Sequence, residues 1–230
     1  MAINEFVSNY FSAQDIELFG FADLSAIPPV ERGNFPYGIA FGIPYSREGM
    51  LENLHGRPQI SYDEYCSYNK RMGDIGIELA EELANLGFKA SAQPYHSILP
   101  NEDLRSVLPH KTVARLAGLG WIGRCALLVN EHYGSAFRLS VVLTNAPLDC
   151  ACPLTVSRCA EDCAICKDVC PGHAPTGRIW ELGLDRSEFF DAAACNKAAH
   201  ERARALLSLD HSICALCMSS CPFTRRALEY

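Results

Sequence analysis

Cys159-Ala-Glu-Asp-Cys163-Ala-Ile-Cys166-Lys-Asp-Val-Cys170-Pro171 is the stretch on which the reading of this chain turns. Its C-x2-C-x3-C-P ending is the tail of the bacterial ferredoxin run. The same ending recurs in Cys214-Ala-Leu-Cys217-Met-Ser-Ser-Cys221-Pro222, and Cys195 stands alone between the two groups. Three cysteines in one tight loop present three thiolates to one cubane. The fourth, a helical turn further on, is carried away to the other cluster. Two [4Fe–4S] clusters follow, one on Cys159, Cys163, Cys166 and Cys221, the other on Cys170, Cys195, Cys214 and Cys217. Two features are irregular: the first gap is x3, and eighteen residues separate Cys195 from Cys214. The x3 gap leaves Cys152 as an alternative to Cys159. Structural zinc is the competing chemistry, although zinc ribbons pair separated C-x2-C knuckles and have no need of the x3-C-P tail.

Outward from these motifs, composition narrows the class. The chain has 230 residues, 49% hydrophobic and 20% charged, enough for a sizeable core in one or two domains. Twelve cysteines would suit a disulfide scaffold in a short secreted protein. Here Met1-Ala-Ile-Asn-Glu-Phe6 has neither a basic n-region nor an apolar h-region, and no apolar run is long enough to span a bilayer. A cytoplasmic location without membrane attachment is therefore expected, with cysteines that serve metal. The net charge of −7 argues against a protein that grips a nucleic-acid backbone.

The order of elements reads as α+β, a mixed α/β domain over 1–148 followed by a small cluster domain over 149–230. Ile3, Phe6, Val7, Tyr10 and Phe11 mark one face of a helix over 3–18. Tyr37–Ile43 reads as a buried strand, Tyr62–Leu86 as the longest helix with Gly87 as its cap, and Phe88–Gln93 as a strand. A helix runs from Pro109 or His110 to Leu116. Cys125–Val129 and Phe137–Thr144 read as a hairpin around Gly134-Ser135. Cys66 belongs to the long helix. Cys125 reads as a small buried residue, the alternative being a place near a cofactor. Cys150 and Cys152 are spare ligands or a redox pair too close for an unstrained disulfide.

Gly118-Leu-Gly120-Trp121-Ile-Gly123 spells G-x-G-x-x-G. Dinucleotide binding requires this pattern after a strand and before a helix. Here a helix precedes and a strand follows, so the stretch reads as a tight helix-to-strand turn that packs Trp121 and lets a flat group approach closely.

The run His110-Lys-Thr-Val-Ala-Arg-Leu-Ala-Gly-Leu-Gly-Trp-Ile-Gly-Arg124, then Leu127-Leu128, Gly134-Ser135 and Leu143-Thr-Asn145, resembles the core of the epoxyqueuosine reductases, and the likeness continues through both cysteine motifs. It spans roughly residues 35–225. The resemblance implies a nitroreductase-like α/β domain, related to that of reductive dehalogenases, with a two-cluster ferredoxin-like domain. It implies an oxidoreductase that passes low-potential electrons through the clusters to a cobalamin. Gly118, Gly120, Trp121 and Gly123 would lie against that cofactor, and the eight cysteines match the family's ligands. It also implies a low-potential donor: a flavodoxin, a ferredoxin or a reductase. Leu104 stands where the family carries the acid of D-x-x-P, with Glu102 and Asp103 beside it and Val107 in place of the proline. Asp103 and His110 are the candidate proton donors, with Tyr95 a further one. The acidic balance, and an end at Tyr230 short of the family's helical-repeat extension, argue against a tRNA substrate. The competing reading is a ferredoxin-type module that reduces a partner protein and has no cobalamin or substrate of its own.

Overall fold

The computed structural model describes residues 2–97 and 100–229. The chain packs as two units: 1–43, 67–119 and 138–154 form the first, and 44–66, 120–137 and 155–230 the second. The expected single break at 148/149 lies close to the last of these crossings, and the structure adds others earlier in the chain.

In the first unit, helix α1 (Ile3–Ala13) leads through a left-handed Asp15 into strand β1 (Leu18–Asp23). Strand β2 (Tyr37–Pro44) pairs antiparallel with β1, from Leu18 opposite Gly42 to Asp23 opposite Tyr37. Helix α2 (Arg47–Leu54) belongs to the second unit. Helix α3 (Gln59–Asn85) joins the first from Ser67 onward. Gly87, at φ +89°, ends it, with the amides of Gly87 and Phe88 on the carbonyls of Ala84 and Leu83. This is the Schellman pattern, in which a residue that tolerates positive φ satisfies the last carbonyls of the helix. Strand β3 (Ala90–Gln93) and a 3₁₀ turn at Tyr95–Ser97 precede helix α4 (His110–Leu116).

Strand β4 (Trp121–Ile122) pairs antiparallel with β5 (Leu128–Val129). Strand β6 (Phe137–Thr144) lies between β2 and β3, giving the order β1-β2-β6-β3. The expected hairpin between 125–129 and 137–144 is therefore corrected. Each of its strands finds a partner elsewhere, because alternation of apolar residues marks a strand without saying which neighbour it pairs with.

Alternation sorts the sheet's two faces. Ile39, Phe41 and Ile43 of β2 join Val7 and Phe11 of α1 and Met72, Ile75, Leu79 and Leu83 of α3 in one buried cluster. On the other face β1 and β2 carry Gly20, Ala22, Gly38, Ala40 and Gly42, and α4 lies close on it. A Cβ on Gly20 would come 2.8 Å from the Ala117 carbonyl oxygen, and one on Gly38 2.7 Å from Val113 Cγ1.

The second unit holds α2, β4, β5 and a run of short helices: α5 (Ile165–Asp168), α6 (Arg186–Phe189), α7 (Ala192–Leu207), α8 (Leu216–Ser220) and α9 (Pro222–Ala227). The Asn53 side chain of α2 donates to Ser219 Oγ of α8 at 2.8 Å, and Arg202 of α7 donates to the Asn53 carbonyl at 2.9 Å. Asn53 and Ser219 are fully buried, so this polar contact fixes α8 in place. No described helix is long and apolar enough to cross a membrane.

Candidate metal centre

Cys166 and Cys217 sit on turns too short to be stable helices alone: α5 has 4 residues and α8 has 5, while Cys195 lies in the first turn of α7. Prolines end these turns. The residue before a proline is pushed out of the helical region, and Cys221 has φ −57° and ψ 130°. The chain bends at Cys221, and Pro222 opens α9. Helix α9 is held at its start by the Ser135 amide, which donates to Thr224 Oγ1 at 3.0 Å. Gly134 gives the room: a Cβ there would fall 2.1 Å from the Thr224 nitrogen.

A cavity of about 180 Å³ opens between these pieces, lined by Cys159, Cys163, Cys166 and Cys221. That is several times the ~30 Å³ share of one liquid water. These are the four residues that spacing assigned to one cluster, and Cys159, not Cys152, is the one that lines it. Cys152 is exposed in the first unit. Burial pushes the Cys221 thiol up, and the nearby Cys159 and Cys166 push in the same direction.

The second set is less enclosed. Burial raises the Cys214 thiol, which also feels Cys170 and the Arg202 cation. Gly172, two residues past Cys170, packs on the first turn of α7, where its Cβ would fall 2.6 Å from the Ala194 carbonyl. Cys195 is the next residue of that turn. Against the pull of Cys166, the neighbouring Cys217 and burial push the Cys125 thiol up. Among the described residues no three His, Cys, Asp or Glu side chains converge as a site for one metal ion.

Sequence reasoning missed the cations of this centre. Arg124 is 6% exposed, and its guanidinium donates to the carbonyls of Ala160 at 3.0 Å, Glu161 at 2.7 Å and Gly177. It thus ties the loop of Cys159 and Cys163 in place and puts a buried positive charge on the cavity wall. Arg158 and Arg226 also line the cavity; each lies over an aromatic ring, Trp121 and Phe223 respectively. Arg158 pairs with Glu131 as well. A lone arginine after a glycine turn carries no signal in sequence, because its partners are carbonyls from distant loops.

The glycine stretch is a packed turn. Gly118, at φ +72°, ends α4: its amide reaches the Arg115 carbonyl and that of Leu119 reaches Ala114. A Cβ on Gly120 would fall 2.2 Å from the Val129 carbonyl, and one on Gly123 2.8 Å from Val129 Cγ2. Trp121 is 1% exposed and meets Phe223 edge to face at 5.0 Å. The chain itself occupies the Cβ side of Gly120 and Gly123.

The candidate proton donors separate. Asp103 is exposed on the loop before α4, next to Leu104 in the left-handed region. His110 begins α4 while Gly118 follows its end, about 10 Å along a seven-residue helix. His110 Nδ1–H donates to the Leu139 carbonyl at 2.9 Å, and Nε2 is buried without a hydrogen-bond partner. Burial lowers its pKa to about 4, against the pull of the Leu139 carbonyl and with help from the Arg138 charge. Its one proton at neutral pH is engaged with the Leu139 carbonyl, a contact that anchors α4 to β6. Tyr95 lies against Arg138, whose guanidinium carbon is 5.5 Å from the ring centre.

Fold and cysteine site together define a mixed α/β protein with a cysteine-lined centre, and comparison with known proteins carries this further. No protein-family model matches the chain. It is 31% identical over 190 residues to epoxyqueuosine reductase of Shewanella oneidensis, covering 78% of this chain and 45% of the relative. It is 28% identical over 171 residues to that of Pseudomonas aeruginosa, covering 74% and 44%. Among solved structures, epoxyqueuosine reductase from Streptococcus thermophilus superposes with a TM-score of 0.62 at 17% identity, over 98% of this chain and 67% of that one. A reductive dehalogenase whose structure suggests a mechanism for B12-dependent dehalogenation gives 0.61 at 19%, over 93% and 32%. The chain is a homologue of the epoxyqueuosine reductases, with a fold shared by reductive dehalogenase. It spans about half the length of the curated relatives it matches.

Proposed function

We propose that this chain is an iron–sulfur oxidoreductase of the epoxyqueuosine reductase type, with a nitroreductase-like first unit and a two-cluster ferredoxin-like second unit. Cys159, Cys163, Cys166 and Cys221 hold one [4Fe–4S] cluster; Cys170, Cys195, Cys214 and Cys217 hold the other. One observation carries the reading. Cysteines separated by more than fifty positions border one cavity of about 180 Å³. Thiolates around a volume suit a cubane, whereas zinc asks for four sulfurs at ~2.3 Å from one centre.

When bound, such a cluster supplies one-electron transfer at a potential set by charge, hydrogen bonds and solvent exposure. The chain's own residues set those three. Arg124 places a buried cation beside the Cys166 thiolate. Val129, Pro222 and Phe223 keep water from the cavity wall. Electrons enter from a low-potential donor protein and leave to a cobalamin or a substrate held by the first unit. Asp103, on its exposed loop, supplies the proton of the reduction.

The test is iron, sulfide and zinc analysis with visible spectra on anaerobically purified protein, before and after cobalamin is added. About eight irons and eight sulfides per chain are expected. A cobalamin spectrum that shifts and co-elutes makes cobalamin the acceptor; full clusters without it leave a direct electron-transfer module. Stoichiometric zinc, with no cluster rebuilt under anaerobic reconstitution, overturns the reading.

A further inference from the structure

We propose that the Nε–H of Arg124 donates a hydrogen bond to a sulfur of the cluster held by Cys159, Cys163, Cys166 and Cys221, and that this bond favours the cluster's reduced state. The proposal rests on the cluster reading above and adds one donor atom to it.

Arg124 lines the cavity with those four cysteines and is 6% exposed. Its two terminal nitrogens are already engaged. Nη2 donates to the carbonyls of Ala160 at 3.0 Å and Glu161 at 2.7 Å, and Nη1 donates to that of Gly177. Ala160 and Glu161 lie between Cys159 and Cys163, so the guanidinium is fastened to the segment that carries two of the ligands. The group is planar, and holding both its terminal nitrogens fixes the direction of Nε–H as well. That Nε is buried and has no hydrogen-bond partner among the described residues.

Arginine cannot relieve such a position by losing its proton. A buried donor without an acceptor forfeits its hydration outright, and a charged one forfeits more. The cavity is where an acceptor can be supplied. Arg124, Arg158 and Arg226 line it, with no carboxylate among the described lining residues. Cations around a space without acids suit an anionic group rich in acceptors. A cubane held by four thiolates presents sulfide and thiolate sulfurs and gains one negative charge on reduction. A charge-assisted bond from Nε–H therefore strengthens in the reduced state, and hydrogen bonds to the sulfurs are among the factors that set these potentials. No proton moves, because Arg124 stays protonated throughout. Arg202 is the other arginine among the described residues whose Nε is buried without a partner. It is fastened instead to the carbonyl and side-chain oxygens of Asn53 and does not line this cavity, so it serves as a control.

The experiment uses the full chain, grown with arginine isotopically labelled at Nε and purified anaerobically. Iron and sulfide are measured first. Pulsed electron paramagnetic resonance of the dithionite-reduced protein then reads coupling between a cluster and the labelled nitrogen. The coupling is expected in wild type, in Arg158→Lys, in Arg202→Lys and in Arg226→Lys. It is expected to vanish in Arg124→Lys, which keeps a cation and loses Nε–H. A redox titration gives a second readout: Arg124→Lys moves the midpoint of one cluster to more negative potential by about 59 mV, a tenfold loss in the equilibrium constant for a one-electron couple. Full clusters in wild type without an arginine coupling would overturn the proposal. A coupling that persists in Arg124→Lys, or a midpoint unmoved there, would overturn it too. If Arg124→Lys assembles no clusters, the other proteins still decide. A coupling kept in all three control variants leaves Arg124 as its source, and its loss in any of them overturns the proposal. Wild type without iron is a different failure, that of the cluster reading itself.

Discussion

The two units hold themselves together by different means. In the first, thirteen buried apolar residues among those described, from α1, α3, the sheet and the segments beside them, form one cluster. In the second, the segment that carries the cysteines is built from helices of 4, 4, 5 and 6 residues around α7. Helical pieces so short do not persist on their own. Their order comes from Arg124 bridging carbonyls and from Asn53 bridging α7 and α8. One apolar cluster therefore sustains the first unit, while directional contacts hold the short helices of the second, and the proposed clusters would add to them.

The sharpest way to break this contrast is to remove a ligand. Cys166→Ala takes away one of the four cysteines that line the cavity and are proposed to hold a cluster. Iron is expected to fall from about eight to about four per chain. Limited proteolysis should then cut within 155–229 while 67–97 stays protected. Protection of both regions alike, with the iron gone, would show that the second unit needs no cluster to fold.

The converse change sharpens the same contrast. Phe41 is fully buried between α1 and the sheet, with its ring 5.0 Å from that of Phe11. Phe41→Ala removes most of that side chain and is expected to cost about 3–5 kcal/mol in denaturant unfolding of the first unit. Iron and sulfide content should not change. A parallel loss of iron would mean that the two units do not keep separate accounts of stability.

What could be read in advance follows the same division. The helix ends at Leu116 and near Gly87 were legible, since a glycine after an apolar-periodic run is a local signal. The grouping of Cys221 with Cys159, Cys163 and Cys166 was legible from the ferredoxin rule, although those residues are far apart in sequence. Strand β1 was not, because Leu18-Phe-Gly-Phe-Ala-Asp23 follows directly on a helical pattern and the left-handed Asp15 that separates them carries no sequence mark. The pairing of β6 with β2 and β3 is a tertiary choice that alternation cannot encode. The same holds for Arg124, whose role is defined by three carbonyls in loops 36 to 53 positions away.

The smallest effect separates the units by pH. His110 belongs to the first unit, and burial holds its folded pKa at about 4, against ~6.5 in an unfolded chain. A folded pKa below the unfolded one means that the unfolded state binds more protons between these values. Stability from this residue is therefore complete above pH ~6.5 and declines as pH falls toward 4, by ~3 kcal/mol at most. His110→Gln keeps a side chain able to donate to the Leu139 carbonyl and removes the titration. Unfolding of wild type and variant is compared at pH 7 and pH 5, so that any acid sensitivity of the cysteine site, common to both proteins, cancels in the difference. The variant should lose about 1–2 kcal/mol less than wild type between the two pH values. Equal losses would mean that His110 is protonated in the folded protein at pH 5, and the anchor between α4 and β6 would then have to be re-drawn with a charged ring.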